Sequence, residues 1–188
     1  DYAFRDCDNL ETINYPKSLK SAGWSMFGGC PKLTSITVPE GVTSIPSDAF
    51  YCADGLREIY LPTTLEKIGS SAFEGCSNVV VFYLPENVSA IGYHSFAYCS
   101  MLERIWIDEC VTQIDESAFY GSDKVVIHGV AGSYAETFAT ENDIEFSTEK
   151  IVQNYDKNTI TGAVVDANGN GIGEVYVKIY NSTLNKME

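Results

Sequence analysis

Hydrophobic residues recur along this chain with a period of 23 residues. Phenylalanine marks each period, at Phe4, Phe27, Phe50, Phe73, Phe96 and Phe119. Other apolar columns keep the same spacing, among them Leu10, Leu33, Leu56, Val79, Leu102 and Val125, then Ile13, Ile36, Ile59, Phe82 and Ile105. The last repeat is one residue shorter than the others. A fixed period over about 130 residues indicates a protein whose repeats stack side by side.

Each repeat contains a short stretch in which apolar and polar residues alternate. In residues 33–38 this alternation predicts a strand with its leucine, isoleucine and valine in the core. Pro39 follows and ends the strand, because proline cannot donate a hydrogen bond to a sheet ladder. Val42 and Ile45 then bring the chain back around one coil. Since no repeat can bury its apolar side alone, the pattern predicts a mainly β solenoid of about six 23-residue coils.

These columns resemble the BspA-type leucine-rich repeat. Residues 56–76 carry its motif almost intact, in Leu56, Ile59, Leu61, Pro62, Leu65, Ile68, Gly69, Ala72, Phe73 and Cys76. The resemblance covers residues 1 to about 147 and implies a right-handed leucine-rich coil. The family consists mainly of bacterial surface and secreted proteins implicated in adhesion to host proteins and other cells. The resemblance therefore implies an extracellular or cell-surface location and a binding function.

Both ends of the predicted solenoid depart from the regular repeat. Ser133 and Glu136 have capping-box spacing, which predicts a short helix that runs to about Asn142. Residues 144–146 would add a last strand, and this segment would form a C-terminal helical cap over the core. The chain begins inside a repeat, so we expect an exposed edge there that could pair with a neighbouring molecule.

The remaining residues change character and predict a separate module. Residues 1–147 form the predicted solenoid with its cap, residues 148–158 a polar linker, and residues 159–188 a partial β-sandwich tail. The tail resembles the opening of a carboxypeptidase-regulatory-like module. Asp166, Asn168 and Asn170 match the first half of a calcium loop, but Val177 stands where the bidentate glutamate is needed. A hairpin connection explains these residues better, so neither a metal nor another cofactor is predicted.

The six cysteines follow the repeat rather than a disulfide framework. Cys7, Cys30, Cys76 and Cys99 share one column, Cys52 lies one place early, and Ser122 replaces the cysteine of the last coil. Side chains stacked in parallel do not converge as a disulfide requires, so we predict buried, unbridged thiols. The cysteines lack the close pairs of a zinc site. Cys110, outside the column in a turn, is predicted to be the most exposed and reactive.

One outward-facing column offers a candidate binding surface. Alternation along the strands points these side chains away from the core. The candidate residues are Tyr60, Tyr83, Trp106 and His128, with Glu58, Val81 and Arg104 in the flanking outward column. Adjacent exposed aromatics with arginine are typical of interfaces, and their ligand would be a protein or a carbohydrate. Cross-strand packing alone is the alternative explanation for the same column.

Composition and charge narrow the possible functions. An apolar content of 45% with 20% charged residues indicates an ordered globular protein. The net charge of −14 disfavours nucleic acid and anionic membranes as partners, and no apolar run is long enough for membrane insertion. The sequence contains no known catalytic motif. A cysteine–histidine pair is not expected either, because Cys99 lies in the buried column and His94 lies on a turn. We therefore predict that the chain is not an enzyme.

Two functional hypotheses remain open. The first is a cell-surface adhesion or recognition module that uses the outward aromatic column. The second is a structural spacer that projects other domains of a longer surface protein. Self-association through the first coil or through the tail is also possible, since both have unsatisfied edges.

Overall fold

The computed structural model describes residues 1–13 and 23–151. These residues fall in one compact unit of the chain, Asp1–Val152, and the second unit, Gln153–Glu188, lies outside the described residues. The predicted β-sandwich tail, its candidate calcium loop and most of the predicted linker therefore lie outside them too. The described part is a β-solenoid of about five turns with a helix after the last coil. This architecture confirms the predicted fold class.

Short strands occur at two positions of each coil. The first position holds β1 (Ser35–Thr37), β3 (Glu58–Tyr60), β5 (Val81–Tyr83), β7 (Arg104–Ile107) and β9 (Val126–Gly129). The second position holds β2 (Ser44–Ile45), β4 (Lys67–Ile68), β6 (Ala90–Ile91) and β8 (Gln113–Ile114). Helix α1 (Tyr134–Glu141) and β10 (Glu145–Ser147) follow.

All of these strands pair in parallel with their counterparts in neighbouring coils. At the first position β1 pairs with β3, and β5, β7, β9 and β10 form a sheet in that order. At the second position the order is β2, β4, β6 and β8. Phe82 lies opposite Ile105, 23 residues away, whereas Arg104 lies opposite Val126, 22 residues away. The register thus confirms both the period and the short last repeat.

The phenylalanine column forms a continuous stack through the core. Neighbouring rings from Phe4 to Phe119 lie 5.2–5.6 Å apart between centroids and 4–11° from parallel. Phe82 stands where other coils have isoleucine, and its ring is edge-on to Phe73 and Phe96, each at 4.8 Å. These offset and edge-to-face arrangements are the favourable geometries for aromatic pairs. The coils are therefore joined through their interior as well as through backbone hydrogen bonds.

The C-terminal cap closes this core as the sequence predicts. Ser133 is the N-cap of α1, and its hydroxyl accepts a hydrogen bond from the Glu136 amide at 3.4 Å. The Glu136 carboxylate in turn accepts one from the Gly132 amide. Phe138 of α1 lies 6.1 Å from Phe119, so the helix continues the ring stack where another coil would follow. Strand β10 pairs with β9 and extends the sheet by one strand.

The cysteine column is buried, and its thiols act as hydrogen-bond donors. All six cysteines are free, with Cys30, Cys76 and Cys99 buried. Cys76 Sγ donates to the Phe50 carbonyl at 3.3 Å and Cys99 Sγ to the Phe73 carbonyl at 3.2 Å. Burial raises the pKa of the Cys99 thiol to about 12 and that of Cys76 well above its ordinary value. These side chains therefore stay protonated and join neighbouring coils.

The other cysteines differ in exposure. Cys110 is exposed as predicted, but Cys52 is exposed as well, and the reactivity of Cys110 stays a prediction. Burial of the sulfur raises the pKa of Cys52, and the nearby Glu74 carboxylate raises it further. Both thiols can be reached from solvent, and Cys52 is harder to ionise than an ordinary cysteine.

Candidate binding surfaces

The predicted outward column lies on the strands of the first position: Tyr60 is in the sheet of β1 and β3, and Tyr83, Trp106 and His128 are in the sheet of β5, β7, β9 and β10. Tyr83 of β5 is opposite Trp106 of β7, and Trp106 is opposite His128 of β9. Tyr60 of β3 is opposite Thr37 of β1. We call Tyr60, Tyr83 and Trp106 the aromatic strip. Parallel pairing aligns Tyr83 with Trp106, and Tyr60 holds the same repeat position in the preceding coil, on the neighbouring sheet.

The rings of the aromatic strip are half-buried and held at their polar ends. The Tyr60 hydroxyl donates a hydrogen bond to the Glu58 carboxylate at 3.0 Å. The indole N–H of Trp106 lies 3.4 Å from Asp108 Oδ2. Tyr83 is half-buried like the other two. Because polar partners restrain Tyr60 and Trp106, little side-chain freedom would be lost when a ligand contacts them.

His128 occupies the column position expected from the sequence, but the prediction that it is exposed is wrong. Only 7% of its surface is accessible. Strand β10 pairs alongside, with Ser147 opposite His128, and His128 Nδ1 donates to the Glu149 carbonyl at 2.8 Å. The cap segment thus covers the column from β9 onwards. His128 orders that segment and cannot contact a ligand directly.

The flanking column divides by charge and exposure. Glu58 and Arg104 are exposed, whereas Val81 is half-buried and lies opposite Arg104 in the sheet. The strip therefore has a carboxylate beside Tyr60 and a guanidinium on the strand that carries Trp106. A neutral surface with one charge of each sign suits a ligand that accepts and donates hydrogen bonds more than one of high charge.

A second aromatic surface lies on the turns that carry the phenylalanine column. It contains Tyr51, Tyr93, Tyr98 and Tyr120 together with His94 and Glu74, and we call it the tyrosine face. The four tyrosines are 36%, 52%, 50% and 60% exposed, respectively. Three of them are therefore exposed by half or more, unlike the half-buried rings of the aromatic strip.

The tyrosine face is built around His94. The His94 ring stacks on Tyr93 at 3.9 Å and on Tyr120 at 5.8 Å, within 16° of parallel in both cases. Tyr98 stands edge-on to Tyr120, at 5.6 Å and 85°. His94 Nδ1 also lies 3.7 Å from Glu74 Oε2. Rings from two neighbouring coils thus form a corner beside a carboxylate.

The sequence gives little indication of the tyrosine face. Tyr51, Glu74 and Tyr120 share the position directly after the repeated phenylalanine, but Ala97 interrupts that column. Tyr93, His94 and Tyr98 occupy other positions, so no run of aromatic residues stands out at the 23-residue period. Two of them, His94 and Tyr98, adopt left-handed backbone conformations with φ of 50° and 57°. The repeat uses this conformation at the same positions in other coils, as at Ser71 and Cys52. A count of aromatic residues within three positions of each repeated phenylalanine is the signal that could have found this surface.

Within residues 1–13 and 23–151, no group of three or more histidine, cysteine or acidic side chains is arranged to hold a metal ion. The same residues contain no helix that is long and apolar enough to cross a membrane.

Comparison with known proteins points to one repeat family. The family model for the BspA-type leucine-rich repeat region matches residues 1–126, in six copies. No curated protein has significant sequence similarity to the chain. The match covers the coils that carry both the aromatic strip and the tyrosine face.

Several solved structures share this architecture. A leucine-rich repeat protein from Bacteroides ovatus is 25% identical, with a TM-score of 0.61 over 69% of this chain and 34% of that protein. A leucine-rich cell surface protein from Faecalibacterium prausnitzii is 29% identical, with a TM-score of 0.58 over 70% of this chain and 38% of that protein. The pneumococcal vaccine antigen PcpA is 22% identical, with a TM-score of 0.59 over 75% of this chain and 42% of that protein. At this identity the similarity shows the fold alone. The chain thus spans little more than a third of the first two proteins.

Proposed function

The chain belongs to the BspA-type leucine-rich repeat family, and on this premise we propose that it is a bacterial cell-surface scaffold that binds a protein or carbohydrate through the aromatic strip. The similar protein from F. prausnitzii is described as a cell surface protein. Solenoids of this kind present extended surfaces for binding and are typically not enzymes. A surface location and a recognition function are therefore the combination that the family favours.

One observation carries the choice of the aromatic strip. Three large aromatic side chains occupy the same position of successive coils, and Tyr60 and Trp106 are held by hydrogen bonds from their polar ends. Other residues at this position, such as Thr37, show that the repeat folds without an aromatic ring there. Packing of the sheet alone does not require tyrosine or tryptophan at these places. Aromatic rings with restrained orientation are typical anchors of protein and sugar ligands.

The experiment compares the wild-type chain with a variant in which the strip is replaced by the residue that the repeat itself uses. The variant is Tyr60→Thr/Tyr83→Thr/Trp106→Thr, and threonine retains a high preference for strands. Binding of both proteins to an array of glycans and to purified host matrix proteins is measured. We expect at least about a tenfold loss for any ligand of the wild type, the loss of two or three interface anchors.

A matched control replaces an exposed tyrosine outside the strip. Tyr134→Thr changes a residue of α1 that is 43% exposed, and it should leave binding unchanged. Equal binding by the wild type and the triple variant would contradict the role of the strip. A wild type that binds none of the ligands would favour the second hypothesis, a spacer that projects other domains. Surface location is tested separately, with antibodies against the chain on intact source cells.

A further inference from the structure

We propose that the tyrosine face binds an arginine-containing basic segment of a partner protein. This surface is separate from the aromatic strip. It lies on the turns around the phenylalanine column, whereas the strip lies on the strands of the first position. The inference therefore does not depend on the function proposed for the strip. It rests on the exposure of the tyrosines, on the charges around them and on the arrangement of their rings.

The exposure of the rings is not explained by packing of the core. Tyr93, Tyr98 and Tyr120 keep half or more of their surface accessible, and the buried positions beside them are already filled by Ser95, Phe96 and Phe119. Contacts between the rings lower the cost of exposing them but do not remove it. Grouped, accessible tyrosines are typical of surfaces that bind a partner.

The charges of this surface determine what kind of partner it can accept. The turns 46–54, 69–76, 92–99 and 115–122 contain no lysine or arginine, and their acidic residues are Asp48, Asp54, Glu74, Asp115 and Glu116. The basic side chain present, His94, is stacked between two tyrosines beside the Glu74 carboxylate. The whole chain has a net charge of −14. An anionic ligand is therefore repelled, and a cationic segment is attracted at long range and at contact.

The ring geometry favours a guanidinium group over a simple ammonium. Tyr98 and Tyr120 are nearly perpendicular at 85°, so their accessible faces border one corner. A planar guanidinium can stack on one phenol ring and still direct its N–H groups to carboxylates at the edge of the corner. Neutral sugars also stack on tyrosine, but they gain nothing from the surrounding negative charge.

The surface is also organised before any ligand arrives. His94 fixes the positions of Tyr93 and Tyr120 through its two ring contacts, and the rings come from neighbouring coils joined by backbone hydrogen bonds such as that from the Tyr98 amide to the Tyr120 carbonyl at 2.8 Å. A ligand would then order few side chains of the solenoid. This lowers the entropic cost of binding.

The test uses synthetic peptides as probes of the full chain. Affinities for an alternating arginine–glycine peptide, and for the same peptide with neutral citrulline, are measured by calorimetry at about 150 mM salt, where long-range attraction is largely screened. We expect binding of the arginine peptide alone. The variant Tyr98→Ser/Tyr120→Ser, which removes both rings of the corner, should bind it about tenfold more weakly, because two cation–π contacts are lost while every charge is kept.

Two further variants separate the contributions. Glu74→Gln should weaken binding by a smaller factor, since it removes one charge and keeps the rings. Tyr83→Thr in the aromatic strip should leave binding unchanged, which distinguishes this surface from the one proposed above. Circular dichroism and thermal unfolding check that each variant folds; the two serine substitutions are at exposed positions.

Three results would overturn the proposal. The first is the absence of binding by the arginine peptide. The second is equal binding by the wild type and Tyr98→Ser/Tyr120→Ser, which would indicate attraction by net charge alone. The third concerns a neutral oligosaccharide such as cellohexaose. If the wild type binds it, the double variant does not, and the arginine peptide does not compete with it, the surface is a sugar site.

Discussion

At the scale of single residues, the cysteine column shows how one side chain can join two coils. Each buried thiol reaches the carbonyl of a phenylalanine in the preceding coil, 26 residues back. Ser122 does the same in the last coil, where its hydroxyl donates to the Phe96 carbonyl at 2.7 Å. A buried carbonyl without a partner would cost about 1–3 kcal/mol. The column therefore favours a small side chain that can donate a hydrogen bond, although Ala53 fills the same position in one coil. Sequence spacing alone predicted only a small buried thiol.

The buried thiols should make the protein less stable at alkaline pH. The pKa of Cys99 is raised by burial from 9.0 to about 12, so the folded state holds this proton more tightly than the unfolded state. The contribution is complete below about pH 9 and is lost as pH rises towards about 12, by up to about 1.4 kcal/mol per pH unit. Urea unfolding at about pH 8 and at about pH 10.5 measures how much the free energy of unfolding falls between the two. We expect a smaller fall in Cys99→Ser than in the wild type.

Cys110→Ser is the matched control for that measurement, because this thiol is exposed. It should lose stability with pH as the wild type does. Serine fits the column in the last coil, so Cys99→Ser should remain folded at neutral pH. An equal alkaline loss in both variants would contradict the assignment of the effect to the buried thiol.

A second prediction at this scale concerns glycine beside the tyrosine face. Gly121 has a left-handed φ of 71°, and a Cβ added there would lie 2.8 Å from Cδ1 of Tyr98. Gly132 has a similar φ of 77° with open space around it. Gly121→Ala should therefore destabilise the chain by more than the roughly 1 kcal/mol of backbone strain expected for Gly132→Ala. Urea unfolding measures both; equal losses would show that the Tyr98 ring moves aside without cost.

At the scale of elements, the sequence predicted those features that repeat or that carry a local signal. The strands of the first position follow from alternation, and α1 follows from the spacing of Ser133 and Glu136. The second-position strands were not predicted, because two residues such as Ser44 and Ile45 are too few to show alternation. Their pairing depends on the neighbouring coil rather than on local preference. Tertiary context decides such short elements.

The cap should contribute strongly to stability through one ring. Phe138 is 4% exposed and continues the phenylalanine stack beyond Phe119. Phe138→Ala should lower the free energy of unfolding by about 3–5 kcal/mol, the usual cost of removing a buried phenylalanine. Alanine favours helix, so the loss would come from packing and not from α1 itself. Urea unfolding measures the change, and hydrogen exchange of the β9 amides should accelerate.

Tyr134→Ala in the same helix provides the comparison for Phe138→Ala. Tyr134 is 43% exposed, and its loss should cost well under the value for Phe138. If both substitutions had the same small effect, the helix would not close the core in the way described. Protected β9 amides in Phe138→Ala would lead to the same conclusion.

At the scale of the whole molecule, periodicity predicted one candidate surface and not the other. The aromatic strip could be predicted because its residues share one repeat position on strands whose alternation is visible in the sequence. The low exposure of His128 could not be predicted from the sequence, because it depends on the path of the residues after β10. The tyrosine face depends on left-handed turns and on contacts between different positions of neighbouring coils. Such contacts become visible only once the coils are stacked.

The charge of the molecule also acts across coils. The chain has 26 acidic residues against 12 lysines and arginines. Parallel stacking places residues 23 apart side by side, and this brings Glu86 next to Glu109 at one turn position. Two coils earlier the same position pairs Glu40 with Thr63, whose amide and hydroxyl donate to the carboxylate at 3.1 and 3.0 Å. Two like charges at one turn position should repel, whereas the Glu40–Thr63 pair is joined by hydrogen bonds.

This difference leads to a prediction on stability and salt. Glu109→Thr should remove one of the two like charges and offer Glu86 a hydroxyl donor, while the amide of residue 109 still donates to Asp108 Oδ1. It should raise the free energy of unfolding by a few tenths to about 1 kcal/mol at low ionic strength. The gain should shrink at about 1 M sodium chloride, where charges are screened beyond roughly 3 Å. The wild type should itself melt at a higher temperature as salt is added, because screening relieves the repulsion of its net negative charge. Glu40→Thr, which removes the favourable pair, should have the opposite effect. Thermal unfolding of the three proteins at low and at high salt measures these effects. If the gain from Glu109→Thr persists at high salt, repulsion between coils is not its cause.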